Sequence, residues 1–367
     1  MSQQTHAAAT QLPWQERLRA TPPTRIVVRI AIAALALFVV LWVLVFADEA
    51  LVKEPRIFFR VLLLGLTLAG LFFVVASGFT LIFGLMRVVN MAHGSLYLLG
   101  GYFALNFQQK LFAKDDGGLH LSLSAGGGGG GGEFNLIGWI VPLAMAVLLI
   151  GIIGVAIQQL FLRWNQGQDL RQALITIAIS VILADQMLAH YGGLAEELKA
   201  PTSWPTSVNV GVDFGFFRLV VLASAIAIGI GLFLGIHRTR VGMIVRAGVD
   251  DRAMVSARGI NIQLVFAGAF FVGSFLAGFG GVLGGTMISL DKGNDTAFLL
   301  NSLIVVIIGG MGSLGGAAIG ALALGLVDAF SDIYLPAQWS NYSILLTFVL
   351  LIAVLAVRPL GLFGRPA

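Results

Sequence analysis

Asn90, His93, Ser95 and Tyr97 place hydrogen-bond donors and acceptors at helical spacing inside an otherwise apolar stretch, with Gly94 among them. Such a set suits a polar zwitterion or an amide lining a cavity, because ionisable and amide groups at membrane depth are expensive unless they serve a pathway. The competing reading is a histidine satisfied by carbonyl groups where a helix breaks. Asp185 is the one carboxylate well inside an apolar span. It is read as a pathway residue, or as a group paired with Gln186 or a distant arginine. A second interruption, Gly309-Gly310-Met311-Gly312-Ser313-Leu314-Gly315-Gly316, concentrates flexible backbone where unpaired N–H and C=O groups need protein or water beside them. A helix starting after it could aim its first N–H groups at an anionic substrate group. The sequence therefore predicts one polar cavity shared by Asn90, His93, Ser95 and the Gly309, Gly310, Gly312 and Ser313 backbone, near the middle of the membrane.

A different chemistry appears between His237 and Asn261, where Arg238, Arg240, Arg246, Arg252 and Arg258 alternate with apolar or small residues. Val245, Val249, Ala253, Val255 and Ala257 fit a short amphipathic helix over Arg246–Gly259 that no lipid span requires, a shape suited to docking in a partner groove. The small residues Ala247, Gly248 and Ala253 permit close approach, with Arg246 and Asp250 on the rim and Gly259 at the exit. The alternative is a positively charged stop signal on the membrane surface. Catalytic chemistry is missing: no Ser/His/Asp order, metal-ligand cluster or phosphate-cradling Gly-Lys-Ser run occurs, and cysteine is absent.

These groups must be carried by membrane-crossing helices. Of 367 residues, 58% are hydrophobic and 11% charged, and mean hydropathy is +0.93, which excludes an ordinary soluble enzyme. The net charge of +4 does not indicate nucleic acid, because the arginines sit in short loops between apolar spans. The fold expected is an all-α polytopic membrane protein with about eight transmembrane helices plus a re-entrant or broken helix pair. Crossings are predicted at Ile30–Ala47 (a retained signal anchor), Val61–Met86, Val88–Gln109, Phe134–Leu162, Gln172–Tyr191, Leu219–Ile236, Leu264–Leu290 and Tyr342–Val357, with Thr296–Val327 as the broken pair. With the N-terminus cytoplasmic, Lys and Arg are more numerous in the inner segments than in the outer loops. Alternation reaches a cytoplasmic C-terminus only if Thr296–Val327 enters and leaves on one side. The domain plan is a cytoplasmic tail at 1–29, a membrane domain at 30–358 with the docking loop at 237–261, and a short cytoplasmic tail at 359–367. Gly126–Gly132 reads as a flexible linker in an outer loop. Pairs such as Gly231/Gly235, Gly280/Gly284, Gly281/Gly285 and Gly316/Gly320 read as close helix packing.

Four ordered segments together resemble the permease subunits of ATP-binding-cassette importers for branched-chain amino acids. They are Gly84–Gly94, Arg246–Asp250 running on to Gly259-Ile260-Asn261, Ile308–Ser313, and Arg358–Gly364. The N-terminal extension, the glycine tract and Asp185-Gln186 depart from the pattern. The resemblance implies a bacterial inner-membrane, multi-pass subunit working with a sister permease, two cytoplasmic ATP-binding subunits and a periplasmic substrate-binding protein. ATP and Mg2+ would be used by those partners, with no cofactor on this chain. Urea and short-amide importers share this permease type and are the alternative. An ion-coupled secondary transporter fits less well, since it has no need of a docking helix.

Overall fold

The computed structural model describes residues 55–86, 89–112, 136–250, 252–335 and 343–364. The predicted anchor Ile30–Ala47, the 1–29 tail and Gly126–Gly132 lie outside them. Among the described residues the chain is helical apart from one small hairpin. The helices are α1 Pro55–Met86, α2 His93–Phe112, α3 Leu136–Ile157, α4 Asp169–Tyr191, α5 Phe216–Arg238, α6 Arg240–Asp250, α7 Arg252–Ala257, α8 Ile262–Met287, α9 Asn294–Gly309, α10 Leu314–Tyr334 and α11 Ser343–Val357. Six of them are long and apolar enough to cross a membrane. Strands β1 Ser207–Asn209 and β2 Asp213–Gly215 pair antiparallel, with Val208 opposite Phe214.

Long apolar runs without charge leave helix as the structure that satisfies their backbone in lipid, so sequence spans and helices coincide closely. α1 is the central post. Every residue from Ala69 to Thr80 is buried, and α1 packs against α10, α8, α5 and α9. Its polar groups are satisfied within its own turns: the Thr67 hydroxyl donates to Leu63 O at 2.9 Å, Ser77 to Val74 O at 2.8 Å and Thr80 to Ala76 O at 2.7 Å.

Lipid supplies no hydrophobic drive between helices, so close backbone approach does the holding. A Cβ on Gly78 would overlap the Gly273 carbonyl, and one on Gly281 would overlap the Tyr97 carbonyl. Three of the four predicted glycine pairs occupy such contacts. Gly280 meets Val75, Gly284 meets the Tyr97 hydroxyl, Gly285 meets Leu198 and Leu290, and Gly316 and Gly320 meet α9. Gly231 and Gly235 differ, having nothing within 4 Å of an added Cβ.

Contacts between ends orient the bundle. At the Pro55 end, the Arg60 guanidinium donates to Asp213 O at 3.4 Å, and Glu196 bridges Leu290. At the Met86 end lie the α5–α6 turn, α7, the start of α8 and the segment after α11, since Gly248 touches Leu85 and Ile262 and Gly84 touches Gly312. The docking segment differs in its bounds from the helix expected over Arg246–Gly259. Helix begins earlier, at Arg240, and is described over α6 and α7 to Ala257, after which Gly259 turns the chain at φ +80° into α8.

Candidate functional site

α2 does not start at the end of the bundle. α1 is described to Met86, and Val89 to Ala92 lie outside helix ahead of His93, where the imidazole Nε2 lies 2.9 Å from Val75 O. Val75 is eleven residues before the end of α1, or roughly 16 Å at 1.5 Å per residue, about half of a 30 Å hydrocarbon layer. A helix N-terminus, with its positive dipole end, is thus placed at mid-depth.

Several elements hold it there. The Asn90 side-chain oxygen accepts from Ala92 N at 3.1 Å and its carbonyl from His93 N at 3.2 Å, forming a local turn. Met91 N donates to the Thr176 hydroxyl at 3.2 Å, and Ser95 Oγ lies 2.7 Å from Ser180 Oγ, so two residues one turn apart on α4 support the break. Gly94 presses against α9, where a Cβ would collide with the Asp295 carbonyl. The Tyr97 ring stacks on Phe298 with centroids 4.0 Å apart, and Phe79 meets His93 edge-on at 5.4 Å. Thr176, Ser180 and Asp295 are not among the residues singled out from the sequence. The i, i+4 spacing of Thr176 and Ser180 on an apolar helix was the available signal.

Two polar atoms remain free within this compact arrangement. Asn90 Nδ2 and His93 Nδ1 are buried and have no hydrogen-bond partner. Because Val75 O can only accept, Nε2 carries the imidazole proton of the neutral ring and Nδ1 presents a bare lone pair. The break therefore offers one free donor and one free acceptor a short distance apart in sequence, beside a helix N-terminus. A carboxylate would take the donor, an ammonium the acceptor.

The other predicted residues are not brought to this place. The turn Gly310–Ser313 lies at the Met86 end, with Gly312 against Gly84 and Gly310 against Gly364. Gly310 and Gly312 adopt φ +97° and +83°. The backbone there is paired: Leu362 N donates to Ile308 O at 2.9 Å, Phe363 N to Gly309 O at 3.0 Å, and Ser313 Oγ accepts from Gly316 N at 3.1 Å as the cap of α10. The expected single cavity thus becomes two locations about half a membrane apart. The physical reason is that α9 is 16 residues long, roughly 24 Å, and so carries the turn through most of the layer before reversing. Asp185 is exposed on α4, nine residues from Thr176 and so about 180° around the helix at 100° per residue. In the docking segment, Gly248 is buried, whereas Arg246 and Ala247 are exposed. Val241 and Met243 are 69% and 60% exposed. Among the described residues no group of three or more His, Cys, Asp or Glu could hold a metal ion.

Residues 61–355 match the family described as branched-chain amino acid transport system / permease component. The high-affinity branched-chain amino acid transport system permease protein BraD of Pseudomonas aeruginosa is 27% identical over 312 residues, covering 82% of this chain and 94% of its own length. LivH of Escherichia coli, described in the same words, is 28% identical with the same coverage. A probable branched-chain amino acid transport permease protein LivH from Methanocaldococcus jannaschii is 23% identical, covering 81% and 89%. No solved structure matches the chain. With the family match spanning most of its helices, this chain belongs to the permease-component family of branched-chain amino acid transport systems.

Proposed function

We propose that the chain is the membrane-spanning permease subunit of an ATP-binding-cassette importer, giving passage to branched-chain or related amino acids delivered by a periplasmic binding protein. The observation that carries this reading is the free donor and acceptor, Asn90 Nδ2 and His93 Nδ1, at a helix start near mid-depth. An α-amino acid zwitterion carries one group for each, and an apolar side chain needs no polar partner. Ser95, Tyr97 and Gly94 build the break. The Gly309, Gly310, Gly312 and Ser313 turn positions α9 and α10 beside it. Asp185 stands away from this break, on the open face of α4.

The Met86 end faces the cytoplasm in this proposal, in keeping with the excess of Lys and Arg in the segments assigned to that side. Both termini are cytoplasmic in the bacterial inner membrane, with eight crossings, Ile30–Ala47 being the first, plus the α9–α10 hairpin. Two cytoplasmic ATP-binding subunits hydrolyse ATP with Mg2+ and receive the α6–α7 segment in a groove. Its exposed Val241 and Met243 supply apolar contact, while Arg246 and Asp250 set register. Ala247, Gly248 and Ala253 allow close approach, and Gly259 joins the segment to α8.

The test is reconstitution of the chain with its sister permease, ATP-binding subunits and binding protein. ATP hydrolysis is expected to rise with loaded binding protein and to drive uptake of leucine, isoleucine or valine. Ala253→Trp should abolish the stimulated hydrolysis while basal hydrolysis persists. Wild-type stimulation in that variant removes α6–α7 as the coupling element, and uptake of amides in place of amino acids removes the substrate assignment.

A further inference from the structure

α4 and α5 are each 23 residues long, each has little of its surface covered by the rest of the chain, and yet the faces they leave open differ in kind. On α5 the exposed residues between Ala223 and Leu234 are all apolar or glycine, as a lipid-facing surface requires. On α4 the exposed stripe runs from Leu174 through Ile177, Val181 and Ile182 into Asp185 and Gln186. Asp185 stands six residues inside the Tyr191 end, roughly 9 Å at 1.5 Å per residue. The whole helix, at about 34 Å, barely exceeds a 30 Å hydrocarbon layer. An aspartate has a single methylene and cannot carry its carboxyl group to the interface as lysine or arginine do. A carboxyl and an amide on adjacent positions at that depth need polar company that lipid does not provide.

Resting on the transport reading above, we infer that the open stripe of α4 is the seam with the sister permease, and that the sister presents a hydrogen-bond donor opposite Asp185. A second copy of this chain fits poorly. Two-fold symmetry about the membrane normal would bring two Asp185 carboxyl groups to one depth across the seam, leaving the Gln186 amides to serve both. The chain's own Ile30–Ala47 segment has no charged, amide or hydroxyl side chain, its one side-chain donor being the Trp42 indole. The seam also has a functional consequence. The opposite edge of α4 holds the break through Thr176 and Ser180, so a shift at the sister contact reaches Asn90–Ser95 through one rigid helix.

The chain contains no cysteine, so single labels can be placed on it cleanly. Ile182→Cys on α4 and Ile230→Cys on α5, 60% and 56% exposed, are each coupled to benzophenone-maleimide. The complete complex is then irradiated in membrane vesicles and the adducts are identified by mass spectrometry. Position 182 is expected to attach to the sister permease and position 230 to lipid. Lipid alone at 182, an adduct within this chain, an adduct to a second copy, or the sister at 230 in place of 182 each overturns the seam.

As a second measurement, Asp185→Leu should lower the sister permease copurifying with this chain by roughly tenfold or more, since one partner of a desolvated polar pair is lost. Asp185→Asn, which keeps an acceptor, should retain it. Equal retention in both variants overturns the pairing. A wild-type chain that assembles with no sister permease overturns the transport reading and the seam together, whereas an intact, transporting complex with lipid-only adducts at 182 overturns the seam alone.

Discussion

At the Val89–Ala92 break the backbone is held by side chains of α4 and by a local Asn90 turn, and two side-chain polar atoms are left over. At the Gly310–Ser313 break it is held by main chain from the segment after α11, through Leu362 and Phe363, and Ser313 caps the next helix. Both satisfy the demand that buried backbone be paired. They differ in what remains once the demand is met. The first retains a donor and an acceptor at mid-depth. The second retains only glycine geometry, close to the end of the bundle. An interruption in a membrane helix is thus not in itself a binding site, and the leftover hydrogen-bonding capacity distinguishes a site from a clasp.

The largest effect is expected at the clasp. Gly310→Val forces a branched side chain into φ +97° and drives its Cβ against the Gly364 backbone. Strain of about 1–3 kcal/mol adds to an overpacking cost of similar size. The variant should lose monodisperse protein on size-exclusion chromatography in detergent, at any substrate concentration. A well-folded variant that fails in transport alone would erase the distinction between the two breaks, because the clasp would then be acting on substrate.

The next effect separates function from stability at the other break. His93→Leu removes Nδ1 and the bond to Val75 O. Loss of that bond costs about 1 kcal/mol of stability, so an assembled complex should still be recovered. Uptake should fall by at least roughly tenfold, equivalent to about 1.4 kcal/mol of lost substrate interaction. Wild-type uptake in assembled His93→Leu protein would make His93 a structural ring packed on Phe79 and would leave both breaks as clasps.

The contrast also explains how far the sequence could be read. The helices were legible, because uncharged runs of about 20 residues have few other structures open to them in lipid. The interruption ahead of α2 was legible in the cluster Asn90-Met91-Ala92-His93-Gly94, though the span was expected from Val88 and the helix starts at His93, and the close packing of α8 was legible in Gly280, Gly281, Gly284 and Gly285. The level of each break was not. Pairing of Gly309 with Phe363 links positions far apart in the chain, and a count of apolar residues does not say at which depth a turn falls. Asp185 was visible as an intramembrane acid, but its facing depends on which side of α4 meets α2, and that is set by the Thr176 and Ser180 contacts. The early start of the docking segment at Arg240 was likewise not legible, since amphipathic spacing does not show the seat of Gly248 against Leu85 and Ile262.

The smallest effect tests whether the support from α4 is spread over several contacts. Ser180→Ala deletes the hydroxyl 2.7 Å from Ser95 Oγ. Ser95 keeps an acceptor in Ser180 O, 3.3 Å away, and Met91 N keeps the Thr176 hydroxyl. Hydrogen bonds between membrane helices average about 0.6 kcal/mol, and the retained carbonyl contact offsets part of that. Uptake should therefore change by less than about threefold, the factor to which 0.6 kcal/mol corresponds, and thermal stability should fall only slightly. Combining Ser95→Ala with Ser180→Ala should be less harmful than the sum of the single changes, since either one already breaks the shared bond. Uptake lost as completely as in His93→Leu would show that the hydroxyl pair itself takes part in the passage, and α4 would then contribute to the site directly.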